Sequence, residues 1–194
     1  KVDLAKATDD ELAGYQTHNN DWFVRHARRL LAARKPGAAV RAKLADQATE
    51  HQNPLKRLRG LWALHSTGGL EPAVLAKLLA DKDDHVRGWA IRLSTESGTP
   101  DVLLPKLVEM AKADPSPVVR RELASLAIRE EPPVRLALVE PLAAHTEDAS
   151  DFNLPLMIWY ALEPLVVLDP TKALKVAASS YDPLPGFVAR RLAG

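Results

Sequence analysis

The sequence contains no cysteine, which excludes disulfides, thiolate metal sites and covalent attachment of a c-type haem within this segment. Aromatic residues make up 5% and glycines number nine in 194 residues. With no sustained β-branched alternation, that argues against an all-β fold. There is no signal peptide, and no apolar run reaches the roughly 18 residues of a bilayer-crossing helix, so no direct membrane insertion is expected. A dominant charge is missing as well. The formal net charge is +1, whereas a dedicated nucleic-acid binder carries a strongly basic stripe. The chain opens on Lys1 rather than Met and reads as an excerpt of a longer polypeptide; the residues themselves leave its compartment unassigned.

What is present is ordinary globular usage, 46% hydrophobic and 26% charged, arranged in a returning pattern. A polar cap is followed by an aliphatic-Arg pair and then by apolar residues at helical spacing. The clearest copies are Asp21-Trp22-Phe23-Val24-Arg25-His26-Ala27-Arg28-Arg29-Leu30-Leu31, Asp83-Asp84-His85-Val86-Arg87-Gly88-Trp89-Ala90-Ile91-Arg92-Leu93 and Ser116-Pro117-Val118-Val119-Arg120-Arg121-Glu122-Leu123-Ala124-Ser125-Leu126. Weaker copies start at Asn53, Asn153 and Pro185, so that the anchors Val24, Leu58, Val86, Val119, Ile158 and Val188 lie 34, 28, 33, 39 and 30 residues apart. Such an interval holds two short helices and their turns. Asp, Ser or Asn caps the first amides, and Pro is tolerated in the first turn, where its missing N–H would be unpaired anyway. These runs are read as second helices. First helices are expected over roughly 9–17, 38–51, 71–81, 101–113, 133–145 and 170–180, with apolar stripes such as Val74, Leu75, Leu78 and Leu79 at i, i+3, i+4 spacing. No pair closes a core alone, so neighbours must stack. The expected fold is all-α: a HEAT-like α-α superhelix, or solenoid, of about six helix pairs. The turns are short, and residues 1–194 are expected to form a single repeat domain.

Two runs carry a narrower likeness. Residues 20–31, Asn-Asp-Trp-Phe-Val-Arg-His-Ala-Arg-Arg-Leu-Leu, and 153–165, Asn-Leu-Pro-Leu-Met-Ile-Trp-Tyr-Ala-Leu-Glu-Pro-Leu, resemble the HEAT-repeat region of planctomycete-type multidomain putative membrane-bound dehydrogenases. In that family a dehydrogenase-like propeller precedes the helical region and a c-type cytochrome segment with Cys-x-x-Cys-His follows. The resemblance implies a redox parent in the periplasm or cell envelope, with this segment as its helical middle. It implies no catalytic residue and no cofactor in the segment. The repeats are mostly shorter than the roughly 40 to 47 residues usual for HEAT units, and the Trp-x-x-Leu-Gly signature of tetratricopeptide repeats is absent.

Among candidate sites, the repeated Arg25, Arg59, Arg87 and Arg120 could line an anion groove, yet Asp21 with Arg25 and Asp83 with Arg87 are i, i+4 pairs. These four residues are therefore read as a structural ladder. Arg28, Arg29, Arg57 and Arg121 lack such local partners and are the candidates for a contact surface. Trp22, Trp62, Trp89 and Trp159 fall within the helical apolar pattern and are read as core. Six histidines, His18, His26, His51, His65, His85 and His145, show no His-x-x-x-His spacing, so no metal site is expected; His26, beside Arg25 and Arg28, could bind an anion. Segment 154–168 is apolar nearly all round, which predicts a buried helix kinked or ended by Pro164. Glu163 there needs a partner: Arg190 or Arg191, failing that Arg129.

The expected function is a non-catalytic scaffold or protein-interaction module, its partner a protein or a neighbouring domain of the same chain. The competing reading is a nucleic-acid- or anion-binding solenoid, including a DNA glycosylase-like enzyme, which needs aromatic walls, a carboxylate and a basic concave face together. Residues 1–70 hold 12 Lys and Arg against 7 Asp and Glu, and residues 71–194 hold 14 against 18. Positive charge fades after the second repeat, so nucleic acid is disfavoured.

Overall fold

Caps and prolines fix where the helices begin. The Asn20, Asn53 and Ser116 side chains accept the amides of Trp22 (2.9 Å), Leu55 (2.9 Å) and Val118 (3.2 Å), and Asp83 Oδ1 accepts that of Val86 (3.1 Å). Thr8 and Glu11 form a reciprocal capping box, which satisfies two end donors at once. Proline sits in the first turn of eight helices, with φ already set for the helix.

The computed structural model describes residues 3–194. Among them are twelve α-helices: α1 (Asp9–Gly14), α2 (Asp21–Arg34), α3 (Ala38–Glu50), α4 (Pro54–Ser66), α5 (Pro72–Leu79), α6 (Asp84–Ser94), α7 (Leu104–Ala113), α8 (Pro117–Arg129), α9 (Pro132–Leu142), α10 (Leu154–Leu168), α11 (Pro170–Ala178) and α12 (Leu184–Ala193). No strand occurs among the described residues. The even-numbered helices are the expected second helices. The odd-numbered ones fall on the expected first helices, with a 3-10 turn at Tyr15–Thr17 extending α1. The fold is all-α, built from six HEAT-like helix pairs.

The chain forms two compact units, Lys1–Leu93 and Ser94–Gly194. In the first, α1 packs on α3 and α3 on α5, while α2 packs on α4. First helices thus stack on first and second on second. Leu12, Ala13, Ala27, Leu31, Leu44, Ala63 and Leu64 are shut from solvent in its core, each large side chain contributing about 1.5–3 kcal/mol. Helices α3 and α4 approach closely at Gly60, where an added Cβ would lie 2.8 Å from the backbone nitrogen of Ala48. In the second unit α7 packs on α9, and α10 packs on α8 and α12, around buried Leu107, Leu123, Leu126, Leu138, Ile158 and Leu162.

Three expectations for segment 154–168 are corrected. The helix is not buried all round. Leu154, Ile158, Ala161, Leu162 and Leu165 are buried, but Tyr160 is 54% and Val167 61% exposed, because a helix in a stack has neighbours only on some sides. Pro164 does not end it, for α10 runs on to Leu168. Glu163 meets Arg191, at 3.5 Å, which is one of its two expected partners, and not Arg190; but the pair is not buried, the side chains being 44% and 42% exposed. Arg191 is three residues past the buried Val188 and so shares its side of α12; Arg190 does not.

Candidate binding groove on the second helices

A ladder of turns holds the second helices in place. Arg57, Arg87 and Arg120 each stand four residues past a cap and donate to the carbonyl two residues before it: His51 (2.7 Å), Asp81 (2.8 Å) and Asp114 (2.8 Å). The side chain at that same position accepts the cap's own amide, at His51 (3.0 Å), Asp81 (2.8 Å) and Asp114 (3.0 Å), and likewise at His18 (3.0 Å) and Asp151 (2.8 Å). Arg57 and Arg120 also reach a carboxylate in the following turn. Arg57 pairs with Asp81, the side chains 3% and 7% exposed, and Arg120 grips both oxygens of Asp148. The hydrogen bonds that Arg120 donates to Asp148 hold its guanidinium above its ordinary pKa, against its burial.

This arrangement corrects the reading of Arg57, which is no contact residue but a buried rung of the ladder. Arg57, not Arg59, occupies the position equivalent to Arg87 and Arg120. Arg59 reaches backward instead, to the His18 carbonyl (2.8 Å) and the Asp21 carboxylate. Asp21 also lies 3.5 Å from Arg25, both well exposed. Asp83 holds the Val86 amide and Arg87 the Asp81 carbonyl. Arg121, half-buried on α8, belongs to the second unit and is among the charges that lower the Asp151 carboxyl, after the Leu154 and Asn153 amides.

Arg28 and Arg29 do converge, and they do so on tryptophan. Along α2, Arg25, Arg28, Arg29 and Ala32 fall on one side by their three- and four-residue spacing. Trp62, His65 and Ser66 do so on α4, and Trp89 and Leu93 on α6. Together they line an open hollow of about 580 Å³. Its floor is a pair of edge-to-face rings, Trp62 and Trp89, with centroids 5.1 Å apart. The Arg28 guanidinium lies over Trp62 at 5.3 Å and that of Arg92 over Trp89 at 5.1 Å, within reach of the ring quadrupole. Arg25 and Arg29 are shared with a second hollow, of about 380 Å³, where Trp22 stacks on His26 at 5.1 Å and Arg29 Nη2 lies 3.4 Å from His26 Nδ1.

None of the four tryptophans is buried as core: Trp22 is 57% exposed and Trp62, Trp89 and Trp159 are half-buried. Small residues beside them, such as Ala27, Ala63 and Ala90, fill the interhelical layer, which leaves the large rings at its rim. Burial followed by repulsion from Arg25 holds the Arg28 guanidinium below its ordinary pKa, with Arg59 adding to the repulsion and Asp21 opposing it. Two shielded donors in this groove, Arg28 Nη1 and Trp62 Nε1, have no acceptor among the described residues. Sequence spacing could not reveal this meeting of α2 with α4, because it depends on how the repeats stack. No group of His, Asp and Glu among the described residues could hold a metal ion.

The class defined by these helix pairs agrees with comparison to known families: residues 40–128, from α3 to α8, match the family model of HEAT repeats. Neither the curated proteins nor the solved structures gave a match.

Proposed function

We propose that the chain is a non-catalytic interaction module, a helical-repeat scaffold that seats a partner protein or a neighbouring domain on the surface shared by α2, α4 and α6. The observation that carries this reading is the groove between α2, α4 and α6. It offers cations and hydrogen-bond donors without acceptors, beside half-buried indole rings, which is the composition of an interface centre, where Trp and Arg supply most of the binding energy. Site-directed photo-crosslinking from position 66, an exposed serine on the lining of the groove, on the full chain in its native cell tests it. A reproducible crosslinked partner that co-sediments with the purified chain is expected; a chain that crosslinks and sediments alone would overturn the reading.

The likeness of residues 20–31 and 153–165 to dehydrogenase-associated repeats supports a further proposal, that the module separates a dehydrogenase-like domain from a c-type cytochrome in its parent. Reading the coding sequence downstream tests this: a Cys-x-x-Cys-His motif supports it, and its absence sinks it.

A further inference from the structure

The donors left over in the groove define what it lacks, which is an acceptor bearing negative charge. Arg28 Nη1 and Trp62 Nε1 are shielded from solvent and unpartnered, and a donor left so costs about 1–3 kcal/mol until an acceptor arrives. The lining residues include three arginines and no carboxylate, and the nearby Asp21 already accepts from Arg59. The ligand must also be partly apolar, because Trp62, Trp89, Ala32 and Leu93 form much of the surface. At about 580 Å³ the groove has the volume of a small-ligand pocket, but it lies open to solvent and so cannot bury most of a drug-sized molecule's surface as such a pocket does. Whatever binds is anchored by more than this contact, as a segment of a longer chain is. A polynucleotide would need positive charge to continue along its phosphates, but the excess of basic residues ends near residue 70, and residues 71–194 hold 14 basic against 18 acidic residues.

We propose that the groove formed by Arg25, Arg28, Arg29, Trp62 and Trp89 binds an acidic peptide segment of a partner protein. One carboxylate accepts from Arg28 Nη1 and the Trp62 indole N–H, which open to it as the Arg28 guanidinium swings off the Trp62 ring, and an apolar or aromatic side chain lies against Trp89. This rests on the interaction-module reading and names the chemistry of its partner. The second hollow, with Trp22 and His26, lies at the Arg25–Arg29 edge and extends the same surface for the flanking residues of the segment.

An array of ten-residue peptides in which Asp and Glu are permuted with Leu, Phe and Trp tests it on the full chain. Retained peptides are expected to carry an acidic residue within two positions of an apolar one. Binding, read by tryptophan emission and by anisotropy of labelled peptides, should weaken at least about tenfold in Arg28→Met and in Trp62→Phe, each removing one charge-assisted bond. Circular dichroism verifies that both variants stay folded, and Arg121→Met serves as the unaffected control. No retained peptide, or equal binding by wild type and both variants, overturns the proposal. So does a twelve-nucleotide oligothymidylate that binds more tightly than any peptide, with a steep salt dependence. The crosslinking experiment keeps the two readings apart: a partner still captured by Arg28→Met leaves the module standing while this groove falls, and no partner captured by either form removes both.

Discussion

The Arg57 guanidinium in α4 meets the Asp81 carboxylate in the turn before α6 twice over. Nη2 donates to Oδ1 at 2.8 Å, and Nε stands 2.8 Å from Oδ2. The same side chain donates to the carbonyls of His51 and Gln52. Removing one member of such a buried pair strands the other charge. Asp81→Ala is therefore expected to lower unfolding stability by about 3–5 kcal/mol, read by urea denaturation of the full chain. The double change Arg57→Met with Asp81→Leu should recover most of that loss, since an apolar pair of similar volume is often as stable as the ion pair it replaces. A single-variant loss below about 1 kcal/mol would show that the pair does not hold the turn.

Gly60 and Gly186 offer opposite outcomes from the same substitution. Alanine normally improves a helix by about 1 kcal/mol over glycine. At Gly186 an added Cβ meets nothing within 4 Å, so Gly186→Ala should raise stability by up to about 1 kcal/mol. At Gly60 the methyl would press on the Ala48 backbone at 2.8 Å. Gly60→Ala should instead cost roughly 1–3 kcal/mol, as overpacking does. Thermal melts of the two variants side by side suffice.

The cap of α10 gives a pH dependence with a defined sign. Asp151 accepts the amides of Leu154 (2.9 Å) and Asn153 (2.8 Å), and these bonds hold its carboxyl below the ordinary 3.8. A folded-state pKa below the unfolded one means the contribution is fully present above pH 3.8 and is lost as pH falls through the lowered value. Asp151→Asn keeps an acceptor but cannot be protonated, so its stability should decline less than that of wild type between pH 4 and pH 2. Parallel acid limbs for the two proteins would sink the assignment.

Glu163 and Arg191 should be weakly coupled. At 3.5 Å with both side chains more than two-fifths exposed, a double-mutant cycle with Glu163→Gln and Arg191→Gln is expected to return less than about 1 kcal/mol. A larger coupling energy would restore the buried pair that the composition of 154–168 suggests.

Helix positions were legible because they follow local rules. Asn53-Pro54 and Ser116-Pro117 announce α4 and α8 by cap and fixed φ, and the stripe of Val74, Leu75, Leu78 and Leu79 marks α5. The ladder was half legible. The repeated arginine was visible, but its register slipped by two residues from Arg57 to Arg59, because in the Leu-Lys-Arg-Leu-Arg run only Arg59 directly follows an aliphatic residue, and it is the cap at Asn53 that points to Arg57. The acceptor two residues before each cap was missed, since His18 and His51 do there what Asp81, Asp114 and Asp151 do, and a chemical pattern shared by His and Asp hides from a search for identical letters. Helical spacing also marks a tryptophan as facing a neighbour without telling centre from rim. Trp62 and Trp89 therefore read as core although they floor an open groove.

The closed turns also bear on how such a chain could lengthen or shorten in evolution. Arg57 is bonded both to its own turn at His51 and to the next one at Asp81, so a copying error that ends between these two points leaves a severed bond on each side. A duplication that begins and ends at equivalent turns carries each donor together with its acceptors, and an inserted pair then arrives already fastened.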